Sequence, residues 1–221
     1  SGFDSMRVLA RKYNDQPEKG SRPMSATATG FVPGAGAGAL LLEDLETAQA
    51  RGARIYAEVQ GVMVNCGGHR NGGSMTAPNP EGARRCIQGA LADAGIDADA
   101  VDAINGHLTA TYADPHEMRN WSEGLGRGPS DFPYINSTKS MIGHCLGAAG
   151  AIESVASVLQ LDRGFMHPSI NCEDIHPEIA PFAAAIVREC MDFPQLQTIA
   201  KASFGFGDVN SCLILKKWNE K

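Results

Sequence analysis

The chain is 221 residues long, 43% hydrophobic, and carries a net charge of −6. That length and apolar content suffice for a large core, and the negative balance argues against nucleic acid as the main partner. No apolar run approaches the ~18 residues that a membrane-spanning helix needs, and no signal peptide opens the chain, so a cytoplasmic protein with no membrane partner is expected.

Phe3, Met6, Val8, Leu9 and Tyr13 form a short helix-like pattern, and residues 14–20 read as a loop. Gly34, Gly36 and Ala39 fit the dinucleotide fingerprint Gly-x-Gly-x-x-Ala. That fingerprint must follow a strand and open a helix. Here Pro33 precedes the glycines and a Leu-rich stretch follows, so the expected structure is a turn feeding a buried strand, with glycines where backbones pack closely. A helix is predicted over 43–51, stopped by Gly52, then a strand over 54–64. Residues 65–80 are rich in Gly, Asn and Pro, and a loop that long is often functional. A helix opens at Pro80 and ends at Gly95; residues 101–105 read as a buried strand with His107 just beyond it. Asp114 or His116 caps a helix reaching Leu125. A strand from Tyr134 leads into a polar loop with Lys139 and His144, and small residues from Gly147 onward start a buried helix carrying Glu153. Later strands are expected over 185–187, 199–204 and 213–215. Alternating strands and helices give an α/β class.

Cys66, Cys86, Cys145, Cys172, Cys190 and Cys212 form no Cys-x-x-Cys pair and have mostly apolar or small neighbours. Buried free thiols in a reducing compartment are expected. The opening Ser1-Gly2-Phe3-Asp4 has neither an initiator Met nor a clean domain start, which suggests one piece of a larger enzyme.

The chemistry centres on two histidines. His107 and His144 each follow a strand-like run and stand beside small residues, so they can converge at the carboxyl ends of neighbouring strands. Two imidazoles offer two N–H donors to one oxygen, which suits an enolate or oxyanion formed when a carboxylate leaves as carbon dioxide. Both should be neutral, and burial and a nearby lysine favour that form. Glu153 has little reason to be buried unless paired, and Lys139 is its candidate partner. His69, His116, His167 and His176 fall in loops or at a cap and read as solvent-exposed.

The string Lys139-Ser140-x-x-Gly143-His144-x-x-Gly147-Ala148-Ala149-Gly150 resembles the Lys-Ser-x-x-Gly-His-x-x-Gly-Ala-Ala-Gly segment of the β-ketoacyl-acyl-carrier-protein synthases. Ser21-Arg22-Pro23, Gly30-Phe31-Val32, the run from Gly34 to Glu43 and Met75-Thr76-Ala77-Pro78 are similar to further segments of that family. The resemblance implies a thiolase-like αβαβα fold. Residues 1–52 would be the tail end of the amino-terminal half, and residues 53–221 the carboxyl-terminal half, a mixed sheet between helical layers. It implies decarboxylative condensation of malonyl and acyl thioesters in fatty-acid or polyketide synthesis. His107, His144 and Lys139 would be catalytic, and Glu153 would pair with the lysine. Phe204 would gate the nucleophile, and the turn from Gly205 to Gly207 would shape an oxyanion hole. Thr109 and Thr111 would bond the pantetheine arm, with Thr76 near its path. Neither a metal nor a resident cofactor is implied, because phosphopantetheine arrives on the carrier protein. The implied partners are acyl carrier protein, an amino-terminal ketosynthase half, and a second subunit in a homodimer or ketosynthase heterodimer.

The pattern departs from the family at Leu108, Ala110, Tyr112, Asp208 and Val209, with Asp208 expected near the oxyanion site. The family's nucleophilic cysteine has no counterpart here, and Cys145 reads as packing. A non-catalytic partner subunit of the chain-length-factor type is therefore the alternative, and a thiolase acting on coenzyme A esters a third reading.

Overall fold

A computed structural model describes residues 2–219. Five strands form the main sheet: β1 (Ala57–Cys66), β2 (Ala103–Asn105), β3 (Tyr134–Asn136), β6 (Thr198–Gly205) and β7 (Val209–Lys217), in the order β1-β7-β6-β2-β3. The β1–β7 and β7–β6 pairs are antiparallel; β2 runs parallel to both β6 and β3. The sheet is therefore mixed. Its parallel part carries the buried β2, Ala103-Ile104-Asn105, as expected where helices cover both faces.

Strand periodicity explains the two cores. Ala200, Ala202 and Phe204 of β6, with Cys212 and Ile214 of β7, face one core. That core is filled by Ile87 and Leu91 of α3 (Pro80–Ala94) and by Met118 and Trp121 of α4 (Asp114–Leu125). Ile199 and Leu215 face the other way, against Leu161 of α6 (Ala149–Arg163). Asn79 caps α3 by accepting from the Glu81 and Gly82 N–H groups, and Gly95 ends it in the left-handed conformation at φ 64°. Two shorter strands, β4 (Phe165–Met166) and β5 (Met191–Asp192), pair antiparallel beyond α6. Three short helices complete the elements used below: α1 (Gly2–Ser5), α2 (Leu45–Ala50) and α5 (Lys139–Ile142).

Several local expectations are corrected. The helix-like pattern at the start yields only the four residues of α1, followed by turns. The buried strand after the glycines is absent, and Leu41 is 86% exposed. The glycines do serve close approach: a Cβ at Gly38 would stand 2.7 Å from the Ala151 backbone, and one at Gly34 2.4 Å from the Ile142 carbonyl. The chain is thus pressed against the start of α6 and then leaves the surface with its leucines outward. Residues 185–187 are the end of a 3₁₀ turn and an extended segment that bridges Ile186 to Ile135. Pro181 and the alanines favour the turn over a strand. Cys66 and Cys190 are exposed, whereas the other four cysteines are buried and none is disulfide-bonded.

Candidate active site

The carboxyl ends of β2 and β6 open on one cavity of about 330 Å³. His107 enters it from the loop after β2. The Glu117 carboxylate of α4 fixes that loop by accepting the His107 and Leu108 N–H groups, each at 2.7 Å, and the Trp121 Nε1–H at 3.3 Å. One turn earlier, Asp114 accepts the N–H groups of Met24 at 2.8 Å, Thr109 at 2.9 Å and Ala110 at 3.1 Å. Asp114 or His116 was expected to cap the helix; neither side chain does, and Asp114 caps the histidine loop instead.

His144 enters from the opposite side. Its N–H donates to the Val32 carbonyl at 2.7 Å and its own carbonyl accepts from Gly34 N–H at 3.0 Å. Gly143 permits this approach: φ is 72° and a Cβ there would stand 2.6 Å from the Val32 oxygen. The Leu146 N–H donates to His144 Nδ1 at 3.1 Å. A neutral His144 therefore carries its proton on Nε2. The two imidazoles meet edge to face with centroids 5.3 Å apart, and Phe31 and Phe204 pack edge to face against His144 and His107.

Burial holds His107 well below the usual imidazole range, with the Lys139, His144 and Lys201 charges adding to it. Burial likewise lowers His144 to about 4, aided by Lys139. Both rings are neutral at physiological pH. Burial and the adjacent Asp114 charge raise Glu117 to about 7.

Of the sequence-predicted residues, His107, His144, Thr76, Thr109, Thr111, Phe204 and Gly205 line the cavity. Thr109 and Thr111 share a hydroxyl hydrogen bond at 3.0 Å. Gly207 lies outside the wall, its N–H donating to the Met75 carbonyl at 2.9 Å. Lys139 and Glu153 form an ion pair behind the histidines, each side chain 1% exposed.

Two expectations fail here. Asp208 does not approach the cavity. Its buried carboxylate accepts the His69 N–H at 2.9 Å and the Asn79 N–H at 2.6 Å, tying the 67–79 loop to the β6–β7 turn. Of the other departures from the family pattern, Leu108 turns into the core, Val209 is exposed, and Tyr112, also exposed, lines the cavity. His167 is buried rather than solvated: its Nε2 meets Thr138 Oγ1 at 3.0 Å and its N–H donates to Gln160 at 3.0 Å. His69 and His116 are exposed as expected; His176 is half-buried, its Nδ1 accepting from Glu178 N–H at 3.3 Å.

Sequence reasoning also missed Lys201. Its ammonium lies 3.0 Å from Glu153 Oε2, an ion pair whose angle does not make a hydrogen bond, and it donates to Ser203 Oγ. The signal was legible as a lysine between Ala200 and Ala202 in an otherwise apolar strand. Among the described residues no cluster of three or more His, Cys, Asp or Glu side chains is placed to hold a metal. No helix there is long and apolar enough to cross a membrane.

Residues 56–173 match the family model of the β-ketoacyl synthase C-terminal domain. The chain belongs to that family, and its sheet and helices are those of the thiolase-like ketosynthases. It is 43% identical over 218 residues to 3-oxoacyl-[acyl-carrier-protein] synthase 1 of Haemophilus influenzae, covering 98% of this chain and 51% of that protein. Against the chloroplastic synthase II of Arabidopsis thaliana it is 43% identical over 216 residues, covering 96% and 38%. Among solved structures, a Burkholderia phymatum β-ketoacyl synthase superposes with a TM-score of 0.87 at 32% identity, covering 99% of this chain and 51% of that one. The ishigamide ketosynthase/chain length factor gives 0.85 at 33% identity, covering 98% and 50%. The chain spans about half the length, or less, of the curated relatives it matches.

Proposed function

We propose that this chain is the carboxyl-terminal part of a 3-oxoacyl-acyl-carrier-protein synthase that condenses a malonyl thioester with an acyl thioester. The observation that carries the reading is the meeting of His107 and His144, both neutral, on one wall of a cavity lined by hydroxyls and aromatic rings. The C–C bond to the malonyl carboxylate breaks and carbon dioxide leaves with its two oxygens. The electron pair passes to the thioester enolate, whose oxygen accepts the Nε2–H of His144 and an N–H of His107. The resulting carbanion forms a C–C bond with the acyl carbonyl and expels the thiolate that held the acyl group. Neutral donors suit this better than cations, which would bind the substrate carboxylate and stabilise the ground state.

Thr109 and Thr111 offer paired hydroxyls to the amides of a pantetheine arm, and Thr76 stands across from them at the mouth beside the exposed Tyr112. The arm arrives on acyl carrier protein, and the reaction needs no resident metal or nucleotide. In this reading the nucleophilic cysteine belongs to an amino-terminal half, of which residues 1–52 are the tail end and residues 53–221 the carboxyl-terminal counterpart, in a cytoplasmic dimer. The buried Cys86 and Cys172 suit packing better: burial raises their thiols to about 11.

The ishigamide neighbour supports a second reading, a ketosynthase-like partner of the chain-length-factor type. The altered residues weigh for it less than expected, since Leu108 and Asp208 both turn away from the cavity. The discriminating experiment is malonyl decarboxylation in the assembled protein. His107→Ala and His144→Ala should each lower it by at least about 10²-fold while sparing acylation of the nucleophile. Undiminished decarboxylation in both variants would favour the partner-subunit reading.

A further inference from the structure

Successive β6 side chains alternate between the faces of the sheet. Ala200, Ala202 and Phe204 fill the α3–α4 core, so Lys201 and Ser203 share the opposite face with Ile199, toward α6. Lys201 is 2% exposed. An ammonium buried this far is strongly disfavoured without a counter-charge. Its counter-charge is Glu153 on α6, yet Glu153 is already neutralised by Lys139 of α5. Glu153 alone therefore does not explain Lys201; a neutral residue there would leave a balanced pair.

The position explains more. A Cβ at Gly150 would lie 3.9 Å from Lys201 Nζ and 3.7 Å from Ser203 Oγ, and both Gly150 and Ser203 line the cavity. The ammonium stands directly behind the wall that the substrate meets. Because Ser203 Oγ accepts from Lys201, the hydroxyl proton of Ser203 is left free to point into the cavity. The charged and titratable groups that face Lys201 are Glu153, Lys139, His107, His144 and the Cys212 thiol of β7. Burial lowers the Lys201 pKa and the Glu153 charge opposes that shift; with Lys201 protonated, the two lysines and one glutamate leave one positive charge over.

We propose that Lys201 is a positioning residue of this site: it divides the Glu153 carboxylate with Lys139 and leaves a surplus positive charge beside the histidine pair. That surplus opposes a further cation at either imidazole and so keeps both rings as neutral donors. The catalytic consequence rests on the condensation reading above, whereas the electrostatic one does not.

The test is a titration of the ¹³C-labelled histidine rings by NMR in the assembled protein, wild type against Lys201→Met and Lys201→Arg. Lys201→Met keeps the length of the side chain and leaves Lys139–Glu153 balanced. The His107 and His144 midpoints should rise by on the order of half a pH unit or more, as expected when a nearby charge is removed from a low-dielectric site. The acid limb of the decarboxylation profile should rise with them. Lys201→Arg should return both toward wild type. Midpoints unmoved in Lys201→Met, or moved equally in Lys201→Arg, overturn the proposal. If Lys201→Met does not fold, Lys201→Gln carries the same titration. An unmoved titration sinks only the role of Lys201, and decarboxylation that survives loss of both histidines sinks only the reading of function.

Discussion

Two sets of buried charge flank the histidine pair, and they are satisfied by different means. On the α6 side, Glu153 is held by the ammonium groups of Lys139 and Lys201. At the His107 loop, Asp114 and Glu117 are held by main-chain N–H groups and an indole. The first arrangement sets the potential at the rings; the second sets where His107 stands. Side-chain partners carry formal charge, so removing one strands another ion. Main-chain donors are neutral, so removing their acceptor strands dipoles, which costs less.

The largest effect that tests this difference is at Glu153. Glu153→Ala leaves two buried lysines without a counter-charge and should cost about 3–5 kcal/mol in denaturant unfolding of the assembled protein. Combining it with Lys139→Met should recover part of that loss. Simple additivity in the double variant would show that the groups are not coupled.

A smaller loss is expected at Asp114. Asp114→Asn keeps one acceptor oxygen for Met24 and Ala110 and strands chiefly the Thr109 N–H, and one stranded buried donor typically costs about 1–3 kcal/mol. Decarboxylation should also fall, because the loop that carries His107 loses part of its anchor. A loss equal to that of Glu153→Ala would erase the distinction between the two sets.

The smallest effect is a pair of opposed pH slopes, below about 1.4 kcal/mol per pH unit for each group. Glu117 titrates at about 7 in the fold against an ordinary 4.5. The folded state holds the extra proton in that window, so this contribution to stability falls as pH rises from about 4.5 to about 7, and the raised Asp114 adds to it. His144 titrates at about 4 against 6.5, so its contribution is lost as pH falls from about 6.5 to about 4, and His107 adds to that. Glu117→Gln should make stability climb more steeply with pH across the shared window, and His144→Gln should flatten it. Unfolding midpoints measured from pH 4 to 8 check this; slope changes of the same sign in both variants would contradict it.

The same contrast marks what was legible in the sequence. Lys139 and Glu153 were paired correctly because opposite charges set in a small-residue helix context demand each other. The histidines stood out because each followed a strand end. Lys201 was readable in principle as a charge in an apolar strand, but its partner already had one. The Asp114 and Glu117 anchors left no such trace, since a main-chain N–H has no identity in a sequence. Asp208 misled for the same reason: its neighbours along the chain placed it by the cavity, while the donors it serves lie on the 67–79 loop. The exposed leucines after Gly38 misled because apolar character alone does not say which way a segment faces once it has crossed a helix.

The place of β7 in the sheet has a consequence in time. It lies between β1 and β6, yet it follows both in the sequence. At ~5–20 residues per second, the roughly 150 residues separating β1 from β7 take on the order of ten seconds to synthesise. Throughout that interval β1 has no neighbour to bond and presents Val59, Val62 and Val64 on an open strand, the kind of edge that invites pairing with another chain. β6, β2 and β3 can assemble once residue 205 has emerged, but β1 can join them only through β7. A ribosome stalled short of residue 209 would therefore hold a nascent chain in its stickiest state.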